Sequence, residues 1–183
     1  MLVIHSPLGA LHLIAALAAV ILGAIVFRSR KATRWHRRVG YGYAATMLAT
    51  NVSALCIFGL SGTFNMLHGF AILSLSSLAF GMMPVLRGRP EGIRFDQHLK
   101  FMSWSYIGLI AALVAESATR IGMPILVANG YTPRPWFWAL VGLASFLVAG
   151  VGALILRRQE PGLQRYRPRP RANRGETVDA ASS

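Results

Sequence analysis

Acidic side chains are nearly missing from this chain: six of its 183 residues are Asp or Glu, against 19 Lys and Arg. Charge of either sign is scarce, at 14% of the residues, where a soluble domain carries about 25%. Cys56 is the one cysteine. It excludes an intramolecular disulfide and any metal centre built from several thiolates. The opening residues, MLVIHSPL, lack the basic n-region of a cleavable signal peptide. The apolar run behind them is about 20 residues long, enough to span a bilayer.

What is present is apolar. Hydrophobic residues make up 54% of the chain. They fall in long runs without charge, and short connectors between the runs carry most of the charge. That is the pattern of a small polytopic membrane protein, whose first partner is the lipid bilayer. A net charge of +13 and a pI near 11.5 raise nucleic acid as an alternative partner. The basic residues lie between apolar spans, so no nucleic-acid binding is expected.

Five transmembrane helices are expected, at about 7–27, 39–60, 64–86, 96–119 and 136–156. Ser6-Pro7 supplies an N-cap followed by proline at the first helical position. Ser61-Gly62 breaks the second span, and Pro84 kinks or shortens the third. Asp96 is placed to cap the fourth. The segment IGMPILVANGYTPRP after Arg120 reads as an interfacial loop, and Trp136 and Trp138 as interfacial anchors of the fifth span. The stretch 157–183 is basic, then rich in Pro, Ala and Ser, and reads as a disordered tail. The fold class is therefore an all-α integral membrane protein. Its transmembrane domain covers 1–156, with the first four helices as an antiparallel four-helix bundle. The connectors after spans one and three, with the tail, hold 17 of the 19 Lys and Arg. The positive-inside rule then places the N-terminus outside and the C-terminus in the cytoplasm.

The fourth span organises the polar residues. His98, Met102, Ser105, Tyr106, Leu109, Leu113 and Glu116 recur at helical spacing and share one face. Residue 116 is five whole turns past residue 98, roughly 27 Å at 1.5 Å per residue. The hydrocarbon core is ~30 Å thick, so one face carries a histidine near one membrane surface and a carboxylate towards the other. His12 and His68 lie a few residues inside the outer ends of spans one and three. His36 and His98 lie at the inner ends of spans two and four. Ionisable residues inside a membrane are costly and point to function. Two histidine pairs at two depths on alternate helices suit two bis-histidine haems. Gly9, Ala16, Ala19 and Gly23 on the His12 face would leave room for a flat macrocycle, and equally for close helix packing. Tyr43, Met102 and Tyr106 would line the inner haem. Each residue also has a plainer reading. His36 in RWHRR can touch headgroups, His98 can belong to a helix cap, and Glu116 can form an i,i+4 pair with Arg120. Asn51 and Ser53 can serve as interhelical hydrogen-bond partners, and His5 reads as solvent-exposed. A second chemistry uses His12, His68 and Glu116 as a zinc or iron site with an open position.

The segments HLIAALAAVILGAIVFRSR, WHRRVGYGY and HLKFMSWSYIGLIAALVAESATR resemble a family of uncharacterised bacterial integral membrane proteins, a domain of unknown function. The resemblance rests on His12, then His36, Arg37, Gly40 and Tyr43, then His98, Met102, Ser105 and Tyr106. It covers roughly residues 8–122 and leaves out span five and the tail. It implies a bacterial inner membrane and no particular activity. The architecture is also similar to the di-haem transmembrane cytochromes b of the ferric reductase type, a likeness of fold alone. The leading expectation is haem b-binding transmembrane electron transfer, making the protein a membrane oxidoreductase. Arg37, Arg38 and Lys100 would then draw a quinol or another small electron donor to the inner face. The alternatives are a metal-binding membrane enzyme or carrier at His12, His68 and Glu116, and a non-catalytic membrane partner subunit. In the last of these, Gly142, Gly150 and Gly152 of span five would pack on the partner.

Overall fold

Apolar runs of this length leave the backbone one economical solution in hydrocarbon, the α-helix, which satisfies its polar groups internally. In a computed structural model, which describes residues 7–57, 66–88 and 93–163, the chain forms five α-helices. They are α1 (Pro7–Arg28), α2 (Arg34–Leu55), α3 (Met66–Leu86), α4 (Ile93–Ala128) and α5 (Pro133–Leu163). Among the described residues there is no strand. Four helices, α1, α3, α4 and α5, are long and apolar enough to cross a membrane; α2, rich in polar residues, does not reach that measure. Ser6, His5 and the Ser61-Gly62 breaker lie outside the described residues.

Helix ends differ from the sequence expectations where local capping outweighs composition. α2 starts at Arg34, inside the basic connector, because Thr33 in extended conformation caps it and accepts the His36 N–H. α4 starts at Ile93, so Asp96 lies within its first turn and is not the cap. An acid there complements the helix dipole. The interfacial loop expected after Arg120 is helix through Ala128, with Pro124 inside it. It stops at Asn129-Gly130: Gly130 has φ +81°, its N–H bonds the Val127 carbonyl at 3.0 Å, and the Tyr131 N–H bonds Leu126 at 3.1 Å. This is a Schellman motif, which needs a left-handed residue that glycine supplies without strain. α5 likewise runs past 156 to Leu163, so the first residues of the expected tail are helical. At 1.5 Å per residue α4 is roughly 54 Å long, well beyond the ~30 Å apolar slab.

Side-chain contacts fix the packing. His12 reaches Thr50 and Ser29 reaches His36, so α1 and α2 run antiparallel. Ser77 reaches Phe101 and Gly81 reaches His98, so α3 and α4 do too. α2 also packs on α3, and α4 touches α1. The backbones of α1 and α3, and of α2 and α4, stay more than 8 Å apart. Ala19, Tyr43, Met47, Leu78 and Leu109, one or two from each of these four helices, form the core between them. α5 packs antiparallel along α4 through Ala115, Val141 and Ala144, with Phe137 and Trp138 against them. Trp138 is therefore partly buried packing, while Trp136 is exposed and edges onto Tyr131 at 5.4 Å.

A Cβ on Gly152 would stand 2.7–2.9 Å from three side-chain atoms of Ile107, whereas one on Gly142 would meet nothing within 4 Å. Overpacking costs about 1–3 kcal/mol. Gly152→Ala should therefore lower the melting temperature in detergent, and Gly142→Ala should leave it unchanged or slightly raised. Thermal unfolding followed by circular dichroism checks both.

Candidate functional site

The polar residues of α2 that the sequence places mid-span are buried: Tyr43 is 2% exposed, Ser53 3%, Asn51 6% and Thr50 8%. Most of their hydrogen bonds stay within the helix. Thr50 donates to the Thr46 carbonyl at 2.8 Å, Ser53 to Ala49 at 2.7 Å, and Asn51 Nδ2 to Met47 at 2.7 Å. A buried polar group that keeps a partner avoids the desolvation penalty. Asn51 thus bonds its own helix, whereas Ser53 also serves α1. Tyr43 and Ser105 join α2 to α4 through a buried hydrogen bond of 2.6 Å between their hydroxyls.

At one end of the molecule the Thr33 cap holds His36 in the first turn of α2. His36 Nδ1 lies 3.0 Å from Ser29 Oγ. The Ser29 hydroxyl donates to the Val26 carbonyl at 2.8 Å, so its oxygen accepts from the ring Nδ1–H. His98 Nδ1 donates to the Gly81 carbonyl at 2.7 Å. Lys31 closes the end of α1, donating to the Val26 and Phe27 carbonyls at 3.1 and 3.0 Å beneath the Phe27 ring. Burial lowers the pKa of its ammonium. Lys31, His36 and His98 are close enough to interact electrostatically. The structure thus places His36 and His98 at one end of the molecule with Lys31, Ser29 and Gly81, which the sequence reading left out.

Pro84 accounts for part of this arrangement. It lies inside α3, which continues to Leu86. With no N–H, it leaves the Phe80 carbonyl without its i+4 donor. Gln97 Nε2 fills that place at 3.1 Å, and His98 takes the next carbonyl, Gly81. The proline therefore opens one acceptor on α3, which Gln97 of α4 fills.

At the opposite end His12, half-buried, turns towards α2. Its Nδ1 lies 3.0 Å from both the Thr50 carbonyl and Ser53 Oγ. A carbonyl only accepts, so Nδ1 carries the proton. His68 is 2% exposed near the start of α3, at the same end. Glu116 does not join them. It pairs with Arg120 one turn on, with both side chains 43% accessible. Among the described residues no three His, Cys, Asp or Glu side chains gather as a metal site. Glu116 is thus held in an i,i+4 ion pair with Arg120.

The middle of the molecule is filled. The Tyr106 ring packs over Gly23, stacks on Phe27 at 5.0 Å and meets Tyr43 edge-on at 6.2 Å. Met102 packs on Gly81, with its Sδ 2.8 Å from where a Cβ would stand. Ala19 has no exposed surface. The small-residue face of α1 is therefore close packing over the Ala19–Gly23 stretch, against the Tyr106 ring.

Long apolar helices on basic connectors, with histidines near both ends, define a multi-pass membrane protein. The chain belongs to the family described as predicted membrane protein DUF2306, whose model matches residues 9–156. The match includes the apolar part of α5, beyond residue 122 where the resemblance of the three sequence segments ends. No curated protein and no solved structure matches, so no match carries the likeness to cytochromes b.

Tyr43→Phe leaves the Ser105 hydroxyl without its partner and should cost about 1 kcal/mol. Glu116→Gln removes an accessible i,i+4 pair and should cost no more than about 0.5 kcal/mol. Chemical or thermal unfolding of the two variants in the same detergent should rank them in that order.

Proposed function

We propose that this protein carries electrons across a bacterial inner membrane on two bis-histidine haem b groups. In this reading all five helices cross the bilayer, α2 included. α1 to α4 form an antiparallel four-helix bundle, and α5 lies against α4 as the fifth span. The basic connectors face the cytoplasm and the N-terminus faces outside. His36 and His98 would hold the inner haem, and His12 and His68 the outer.

One observation supports the reading best. Three of the four histidines, His12, His36 and His98, direct Nδ1 onto a backbone carbonyl or a serine oxygen. A neutral ring so anchored carries its lone pair on Nε2, in a fixed orientation. Metal-ligating histidines are held in this way by their other ring nitrogen. Haem b so ligated supplies reversible one-electron chemistry. The rest is done by the chain. Thr50, Ser29 and Gly81 fix the rings. Tyr43, Met47 and Tyr106 fill the space between the two levels and exclude water from it. His36 and Thr50 are fourteen residues apart on α2, which sets the levels roughly 21 Å apart. Arg37, Arg38 and Lys100, all exposed at the inner end, would attract an anionic or quinol donor by charge.

Protein purified after haem-supplemented expression should show a Soret band that shifts on dithionite reduction, sharp α and β bands, and two haems per chain. His36→Leu or His98→Leu should halve the haem and leave the helical content intact. A flat visible spectrum from folded wild-type protein would reject the proposal.

A further inference from the structure

Between the end of α1 and the first turn of α2 lies an open groove of about 560 Å3, lined by Ile25, Arg28, Ser29, Arg30, Thr33 and Trp35. Its walls are mainly apolar, and Arg28 and Arg30 are among the residues that form them. Lys31 is spent on the α1 carbonyls, so Arg28 and Arg30 are the cations the groove offers. Among the described residues neither forms an ion pair. Trp35, 61% exposed, stands at the rim, where an indole suits the headgroup level of a bilayer.

The groove continues onto α1. Ile14, Leu17, Ile21 and Ile25 are 66%, 46%, 60% and 37% exposed. Their three- and four-residue spacing puts them on one face, and Arg28 follows on that face one turn beyond Ile25. From Ile14 to Ile25 the stripe is roughly 17 Å long, close to the ~15 Å depth of one leaflet's hydrocarbon. Bulk lipid can wet any apolar stripe. This one ends at an open groove whose lining includes Arg28 and Arg30, and a guanidinium group suits a phosphate. We propose that the groove binds the phosphate headgroup of an anionic phospholipid, one acyl chain of which lies along Ile14–Ile25. The site does not depend on haem binding.

The test uses the full chain, delipidated in a non-ionic detergent and titrated with phosphatidylglycerol or phosphatidylcholine of matched chains, with native mass spectrometry counting bound lipid. Phosphatidylglycerol should bind roughly tenfold more tightly. Arg28→Gln/Arg30→Gln should remove that preference, and Arg28→Lys/Arg30→Lys should keep part of it. Arg157→Gln/Arg158→Gln, on the same end but outside the groove, should leave it unchanged. Equal binding of the two lipids by wild type overturns the proposal whether or not the variants fold. So does an equal loss in the Arg157/Arg158 variant, which would mean diffuse surface charge. Displacement of the lipid by inorganic phosphate alone also overturns it, since the site would then hold a free anion.

Discussion

Hydrocarbon offers no hydrogen bonds, and α2 is the one described helix not apolar enough to cross a membrane by its own composition. It has hydroxyl, amide and phenol groups along the length where its neighbours have Leu, Ile and Ala. Its polar side chains are tolerable because they bond the α2 backbone and because α1, α3 and α4 cover them. Tyr43 shows both conditions at once: its ring is core, and its hydroxyl needs Ser105 of α4. The packing of the first four helices follows from the need to enclose this one polar helix, while their own outer faces stay apolar. A helix too polar to face lipid specifies its neighbours more strongly than a uniformly apolar one could, since an apolar side chain is satisfied equally by lipid or protein.

The same economy governs the histidines. Each anchor is a group the backbone supplies or has already engaged: the carbonyl of Gly81, a serine that has already donated, the carbonyl of Thr50. Side chains held by backbone atoms inherit the rigidity of the helices, so the ring planes are set by the fold and do not depend on flexible partners. Lys31 plays the corresponding part at the end of α1, where the last carbonyls of the helix need donors.

Much of the fold was legible because the apolar runs are long and the connectors charged, and α1 and α3 end within a residue or two of where hydropathy put them. The errors came from reading composition where chemistry decided. RSRKATRW looks like a connector, but Thr33 can cap, so the helix starts there. IGMPILVANGY looks like a loop because it holds a proline and two glycines. Inside a helix already roughly eight turns deep, Pro124 forfeits one bond, and only Asn129-Gly130 stops the chain. The burial of Tyr43, Met102 and Tyr106 was visible in their helical spacing. What they bury was not, since spacing gives a direction and no partner: Tyr106 fills the recess of Gly23. The Glu116–Arg120 pair was legible from its i,i+4 spacing. Ser29 and Gly81 carried no signal of their own, because their roles depend on which carbonyls and hydroxyls face α2 and α4 after packing.

Pro84 has a consequence for biogenesis. A span that enters the bilayer with all its amides and carbonyls paired can wait there alone. α3 cannot do so at no cost, because the Phe80 carbonyl has no donor within its own helix, and such a group in lipid costs several kcal/mol. The donor comes from Gln97, a few residues beyond the connector, at the start of the next segment to leave the ribosome. α3 is thus complete only once α4 has arrived beside it in the right register. The two form a helical hairpin whose second arm supplies what the first one lacks.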